Sequence, residues 1–301
     1  MSTMSEDKAR LMRLATYAAT GTALLLIIVK LGAWAMTGSL ALLSSLIDSL
    51  LDSGASLVNL FAVRQALQPA DNDHRFGHGK AEPLAGLAQS AFVVGSAIFL
   101  LIEIGGRFFD PTPVVRGEIG IAVMIFSVLA TIGLVSFQKY VVKQTGSVAV
   151  AADSLHYTGD VLINGSVIIS ILIGMNFNWP YADPLFAAAI ALYLLKNAYE
   201  IALSSLNLLM DRELPTEERE KIIDIALDHP EVMGVHDLRT RSSGPQNFIQ
   251  LHLVMDANLS LKDAHAVADL TENKIRAAFP YSEVIIHQDP AGLDEDHPEF
   301  H

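Results

Sequence analysis

Long stretches without charge constrain this chain more than anything else in it. Pro83–Ile102, Ile119–Gln138 and Val161–Pro180 hold no Asp, Glu, Lys or Arg, and Leu14–Met36 holds only Lys30. A helix needs ~20 apolar residues at ~1.5 Å rise to cross a bilayer. Two further segments are apolar but interrupted: Ser39–Val63 by Asp48 and Asp52, Pro184–Met210 by Lys196 and Glu200. The fifth helix is predicted to start near Gly146 and to include His156 and Asp160. Six transmembrane helices are the count this pattern predicts. The first apolar run is too long for a cleaved signal and lacks a small-residue cleavage site, so it reads as a retained helix.

Charge divides the chain in two. Only 18% of its 301 residues are charged and 51% are apolar. Residues 1–208 carry 14 acids and 12 bases, whereas the remainder carries 19 acids, 8 bases and seven of the ten histidines. The net charge of −13 therefore belongs almost wholly to the last third. With no basic patch to neutralise phosphates, nucleic-acid binding is disfavoured. With no cysteine, thiolate metal sites and disulfides are excluded as well.

The predicted organisation is a cytoplasmic N-terminal segment (1–13), a transmembrane domain (14–208), a cytoplasmic metal-binding domain (209–290) and a flexible acidic tail (291–301). Lysines and arginines in short loops set the orientation. Lys8, Arg10, Arg13, Arg64, Arg75, Lys80, Lys139 and Lys143 fall on one side, and only Arg107 and Arg116 on the other. Both termini are thus expected in the cytoplasm. Lys30 reads as a snorkelling or packed residue.

Asp48 and Asp52 stand one turn apart on helix two, and His156 and Asp160 one turn apart on helix five. Buried anions at membrane depth are costly without a partner or cation. If the two faces meet, three carboxylates and an imidazole converge, an O/N donor set suited to a divalent ion such as Zn²⁺. Ligands must be deprotonated to bind metal, so protons and metal compete for the same groups. That is the chemistry of metal–proton exchange. Asn59, Gln89, Ser90 and Asn164, also at membrane depth, read as helix-packing hydrogen bonders.

Between helices two and three, Asp71, His74 and His78 lie in a polar segment punctuated by Pro and Gly. They fit either a second, exposed metal site or a solvated turn. Lys80 begins the next helix, or pairs with an acid of the last domain. After Pro215 the sequence predicts a helix (Thr216–Asp228), a strand (Val232–Arg241), an alternating strand (Phe248–Met255), a helix capped by Ser260 (Leu261–Phe279) and a strand (Glu283–Gln288). This αββαβ order describes an α+β open-faced sandwich. His236, His252, His265, His287 and Asp289 give it enough donors for one or two metal ions.

Taken in order, Asp48-Ser-Leu-Leu-Asp52, Phe76-Gly-His-Gly-Lys80, His156-Tyr-Thr-Gly-Asp160, Leu209-Met-Asp-Arg212, His236-Asp-Leu-Arg-Thr240 and Ile285-Ile-His-Gln-Asp-Pro290 resemble the cation diffusion facilitator family over nearly the whole chain. The resemblance implies a homodimer in a bacterial cytoplasmic (inner) membrane, exchanging Zn²⁺, and also Cd²⁺ or Fe²⁺, for H⁺ by alternating access. It implies a transport site at Asp48, Asp52, His156 and Asp160, and a loop site at Asp71, His74 and His78. It further implies a binuclear site at His236, His252, His265, His287 and Asp289 with Gln288 beside them, and a charge interlock of Lys80 with Asp211. The cytoplasmic domain is then expected to stabilise the dimer and regulate transport. An intramembrane metalloenzyme is the weaker alternative, since no His-Glu-x-x-His motif occurs and four ligands close the shell. A membrane-bound metal sensor is the other, and proton counter-flow separates it from an antiporter.

Overall fold

The computed structural model describes residues 6–38, 40–109, 118–177, 182–244 and 246–292. The expected tail falls mostly outside them. Six long helices come first: α1 (Glu6–Thr37), α2 (Leu40–Ala66), α3 (Ala81–Phe109), α4 (Glu118–Thr145), α5 (Val148–Phe177) and α6 (Ala182–Leu209). Among the described residues five of them contain stretches long and apolar enough to cross a membrane. α5, which carries Asp153, His156 and Asp160 in its first half, is not among these five.

The chain forms two compact units, one made of 7–68 with 81–206 and the other of Pro69–Lys80 with the residues from Asn207 onward. In the helical unit many large side chains face outward, and in places small ones face inward. Along α1, Ala15, Ala19 and Ala23 are buried, while Leu24, Leu25, Ile28 and Leu31 are exposed. This inversion suits helices that associate inside lipid, where packing of small residues replaces the hydrophobic drive. Gly86 has no room for a side chain against Ser205 Oγ, and Gly159 packs on Leu194.

Helix ends follow local chemistry. Gly146 adopts φ +71°, a left-handed conformation that costs glycine little, and closes α4 with a hydrogen bond to the Val142 carbonyl at 2.8 Å. Ser147 then caps α5, its Oγ accepting from the Val150 amide at 3.2 Å.

The second unit contains α7 (Thr216–Leu227), β1 (Val232–Ser243), β2 (Gln246–Met255), α8 (Leu261–Ala278) and β3 (Ser282–Pro290). The sheet order is β1-β2-β3, with β1 antiparallel and β3 parallel to β2. Ile249, Leu251, Leu253 and Met255 are each at most 2% exposed and pack with Ile222, Val267 and Ile275 of the two helices. Burying such a side chain stabilises by ~1.5–3 kcal/mol. Ser260 caps α8, its Oγ accepting from the Asp263 amide at 3.2 Å. β1 is irregular between His236 and Arg239, where Asp237 has φ +48°. This bulge interrupts the ladder one residue after His236.

Pro69–Lys80 folds onto the β1–β2 hairpin. Phe76 meets Phe248 edge to face with ring centres 5.5 Å apart, and the Arg241 guanidinium lies 4.8 Å from the centre of each ring. Gly79 abuts the Ser243 carbonyl so closely that no Cβ fits.

Candidate metal centres

Three clusters of His and Asp side chains bring their donor atoms within 4.8 Å of one another among the described residues. The first lies between α2 and α5. His156 Nε2 is 2.9 Å from Asp52 Oδ1 and 3.9 Å from Asp160 Oδ2. His156 is buried, with Phe92 of α3 edge-on at 5.4 Å. Asp48 stands one turn before Asp52, exposed, and is not one of the three converging groups. The helical spacing supplies the pairs, and the packing of α2 on α5 brings Asp52 to the second pair.

Around this cluster the chain adds polar residues that sequence reasoning passed over. Asp153, one turn before His156, is 1% exposed and accepts a hydrogen bond from Gln138 Nε2 of α4 at 2.7 Å. Ser56 Oγ and Tyr157 OH hydrogen-bond at 2.8 Å, tying α2 to α5 beside the ligands. A signal for Asp153 was present, an acid one turn from an intramembrane His, but the uncharged run starts only at Val161. Of the expected packing hydrogen bonds, Asn164 Nδ2 donates to the Asp160 carbonyl and Ser90 Oγ to that of Leu87, each within its own helix.

The second cluster is the Pro69–Lys80 segment. Asp71 Oδ1 accepts from the amides of His74 at 2.7 Å and Asp73 at 3.0 Å. The His74 amide, then that of Asp73, holds this carboxyl below the usual carboxylate range, so Asp71 is an anion and ready to ligate. His74 Nδ1 and His78 Nε2 lie 3.5 and 3.4 Å from its two oxygens. Lys80 Nζ pairs with Asp211 at 2.9 Å, and Arg241 approaches the same carboxylate at 3.4 Å.

The third cluster crosses the open face of the sheet. His236, His252 and His287 are register partners on β1, β2 and β3. Asp289, two residues beyond His287 and therefore on the same face, joins them. Its Oδ2 lies 2.8 Å from His252 Nδ1 and 3.1 Å from His236 Nε2, and its Oδ1 lies 3.1 Å from His287 Nε2. Imidazoles around one carboxylate fit a borderline-soft divalent ion and leave no role for thiolates.

Two expected members do not join it within one chain. His265 is on α8, which covers the core face, whereas the histidine row occupies the other face. Its Nε2 lies 3.6 Å from Asp269 instead. Gln288 alternates with His287 and Asp289, so it shares the face of Val284 and Ile286, which pack on the core.

Residues 16–210 match the cation efflux transmembrane domain family, and residues 214–291 match the cation efflux protein cytoplasmic domain. The chain is 49% identical over 291 residues to the cation-efflux pump FieF of Shigella boydii serotype 18 and to that of Escherichia coli K12, covering 96% of each chain. Among solved structures, the metal-bound C-terminal domain of the CzcD transporter from Thermotoga maritima is 28% identical, covering 26% of this chain and 93% of that one at a TM-score of 0.26. These relatives are transporters, not enzymes. The chain belongs to the cation diffusion facilitator family, as an integral membrane cation-efflux transporter with a C-terminal cytoplasmic domain.

Proposed function

We propose that the protein is a proton-coupled antiporter that exports Zn²⁺ from the cytoplasm by alternating access, with Cd²⁺ and Fe²⁺ as further substrates. The observation that carries this reading is the convergence of Asp52, His156 and Asp160 between two long helices. Asp48 lies one turn along α2 and completes a four-donor shell when that helix turns toward α5. An imidazole among oxygen donors favours Zn²⁺ over Mg²⁺ or Ca²⁺, which take all-oxygen shells. All four ligands sit on α2 and α5, so a change in how these two pack re-aims the whole shell. H⁺ enters as counter-ion because the emptied carboxylates and imidazole are the groups best placed to take protons. The efflux named in the relatives supports the export direction.

The remaining assignments belong to the same reading. Six spans place both termini in the cytoplasm of a bacterial inner membrane, with domains at 14–208 and 209–290. Asp71, His74 and His78 hold metal at the loop. His236, His252, His287 and Asp289 hold it in the cytoplasmic domain of a homodimer, where it stabilises the dimer and regulates transport. Lys80 and Asp211 lock the loop segment to that domain.

Reconstituted liposomes test the core of this. Zn²⁺ flux is expected to follow an imposed proton gradient, with matching proton movement, and to fall at least tenfold in Asp52→Ala. Zn²⁺ binding without gradient-driven flux would overturn antiport and leave a membrane-bound sensor.

A further inference from the structure

Beyond Arg13, α1 carries a single charge, Lys30. A snorkelling lysine runs its ammonium along the helix toward the interface. This one reaches across to α2. Its Nζ donates to Ser49 Oγ at 2.6 Å and to the Ser45 carbonyl at 3.2 Å. Ser49 lies between Asp48 and Asp52, and the ammonium acts through space on Asp52, Asp160 and Asp48. The two hydrogen bonds hold the Lys30 amine against α2 at Ser49, between the two aspartates of that helix.

We propose that Lys30 is a tethered counter-cation of the transport site, a positioning residue that offsets carboxylate charge when no metal is bound and opposes the arriving divalent ion. This rests on reading Asp48, Asp52, His156 and Asp160 as the transport site. Carboxylates crowded at membrane depth repel one another, and a nearby cation relieves that cost. The same cation repels M²⁺ once it enters, so the bound state gains less than it otherwise would. Affinity stays low enough for release, which a transporter requires and a structural metal site does not. A lysine acting only through packing has the opposite signature, because its loss loosens the site and weakens binding.

The experiment uses full-length protein with the other two clusters silenced by His78→Ala and His252→Ala, titrated with Zn²⁺. Lys30→Met is expected to bind Zn²⁺ ~10-fold or more tightly, the scale of a removed like charge at intermediate dielectric, whereas Lys30→Arg stays near the parent. In liposomes Lys30→Met is expected to lower KM and kcat together, as slow release requires. Unchanged or weaker binding in Lys30→Met overturns the proposal. A metal-free arm is a double-mutant cycle of thermal unfolding between Lys30→Met and Asp160→Asn. Coupling between the two is expected, and strict additivity overturns the proposal. If the parent itself binds no Zn²⁺, the transport-site reading fails, while the cycle still decides whether Lys30 and Asp160 act on each other.

Discussion

Asp153 is a charged residue with 1% exposure whose nearest partner is a neutral amide. Asn59 and Ser56 of α2 also close on it. Truncating it strands the Gln138 amide in the protein interior, and an unsatisfied buried polar group costs about 1–3 kcal/mol. Asp153→Ala is therefore expected to lower the thermal midpoint in detergent clearly. Asp153→Leu with Gln138→Leu is expected to lower it less than the single truncation, since the Gln138 amide is no longer stranded and only Asn59 and Ser56 lose a partner. Residue by residue, legibility depended on whether the informative neighbour was close in sequence. Asp52, His156 and Asp160 announce themselves as polar pairs one turn apart in apolar surroundings. His287 and Asp289 are equally local, two apart on a strand. Whether His265 meets them turns on which face of the sheet α8 covers, and spacing along the chain does not encode that. Lys30 read only as a snorkelling or packed residue, because its two acceptors lie 15 and 19 residues away.

At the scale of elements, apolar runs and periodicity located every helix and strand, but α1 starts at Glu6, eight residues before its apolar run, and α3 continues to Phe109, seven residues past its own. β1 runs on to Ser243 and β2 begins at Gln246, because antiparallel pairing extends right up to the tight hairpin. α4 extends to Thr145, past the uncharged run, since Lys139 and Lys143 are good helix formers and only Gly146 stops it. α7 and α8 are joined at their ends by Lys274, whose Nζ lies 2.7 Å from Asp228 Oδ2. The hydrogen bond from that ammonium, then its charge, holds the Asp228 carboxyl below the usual carboxylate range. A depressed carboxylate contributes stability above its unfolded value of about 3.8 and loses it as pH falls through the lower folded value. Lys274→Met is thus expected to move the Asp228 titration upward toward 3.8, with no change in its charge at neutral pH, read by NMR of the aspartate carboxyls.

For the whole molecule, the two units carry different physics. One exposes many large apolar side chains along long helices, and the other buries a conventional apolar core beneath a three-stranded sheet. Composition showed this division, since nearly all the net negative charge falls in the last third. The pairing of Pro69–Lys80 with that last third was visible only through Lys80, because Phe76, Arg241 and Phe248 meet across more than 160 residues of chain. On the proposed reading, metal at the histidine row recognises a site that only the folded domain presents. Zn²⁺ at ~100 times its dissociation constant is therefore expected to stabilise that domain by about 2.7 kcal/mol. Asp289→Ala is expected to abolish the corresponding rise in unfolding temperature, leaving the metal-free midpoint far less affected.

The row on the open face also has an order in time. β1 and β2 are sequence-local partners in an antiparallel hairpin, and their pairing brings His236 to His252. His287 and Asp289 arrive some 35 residues later, after α8, because a strand parallel to its neighbour must be reached by a crossover. Asp289 touches all three imidazoles, so a nascent chain has no finished centre until its C-terminal strand has docked. By then every membrane helix has already been synthesised. On the proposed reading, metal capture at this face therefore waits for β3 to dock on β2, like a lock whose last part is fitted after the others.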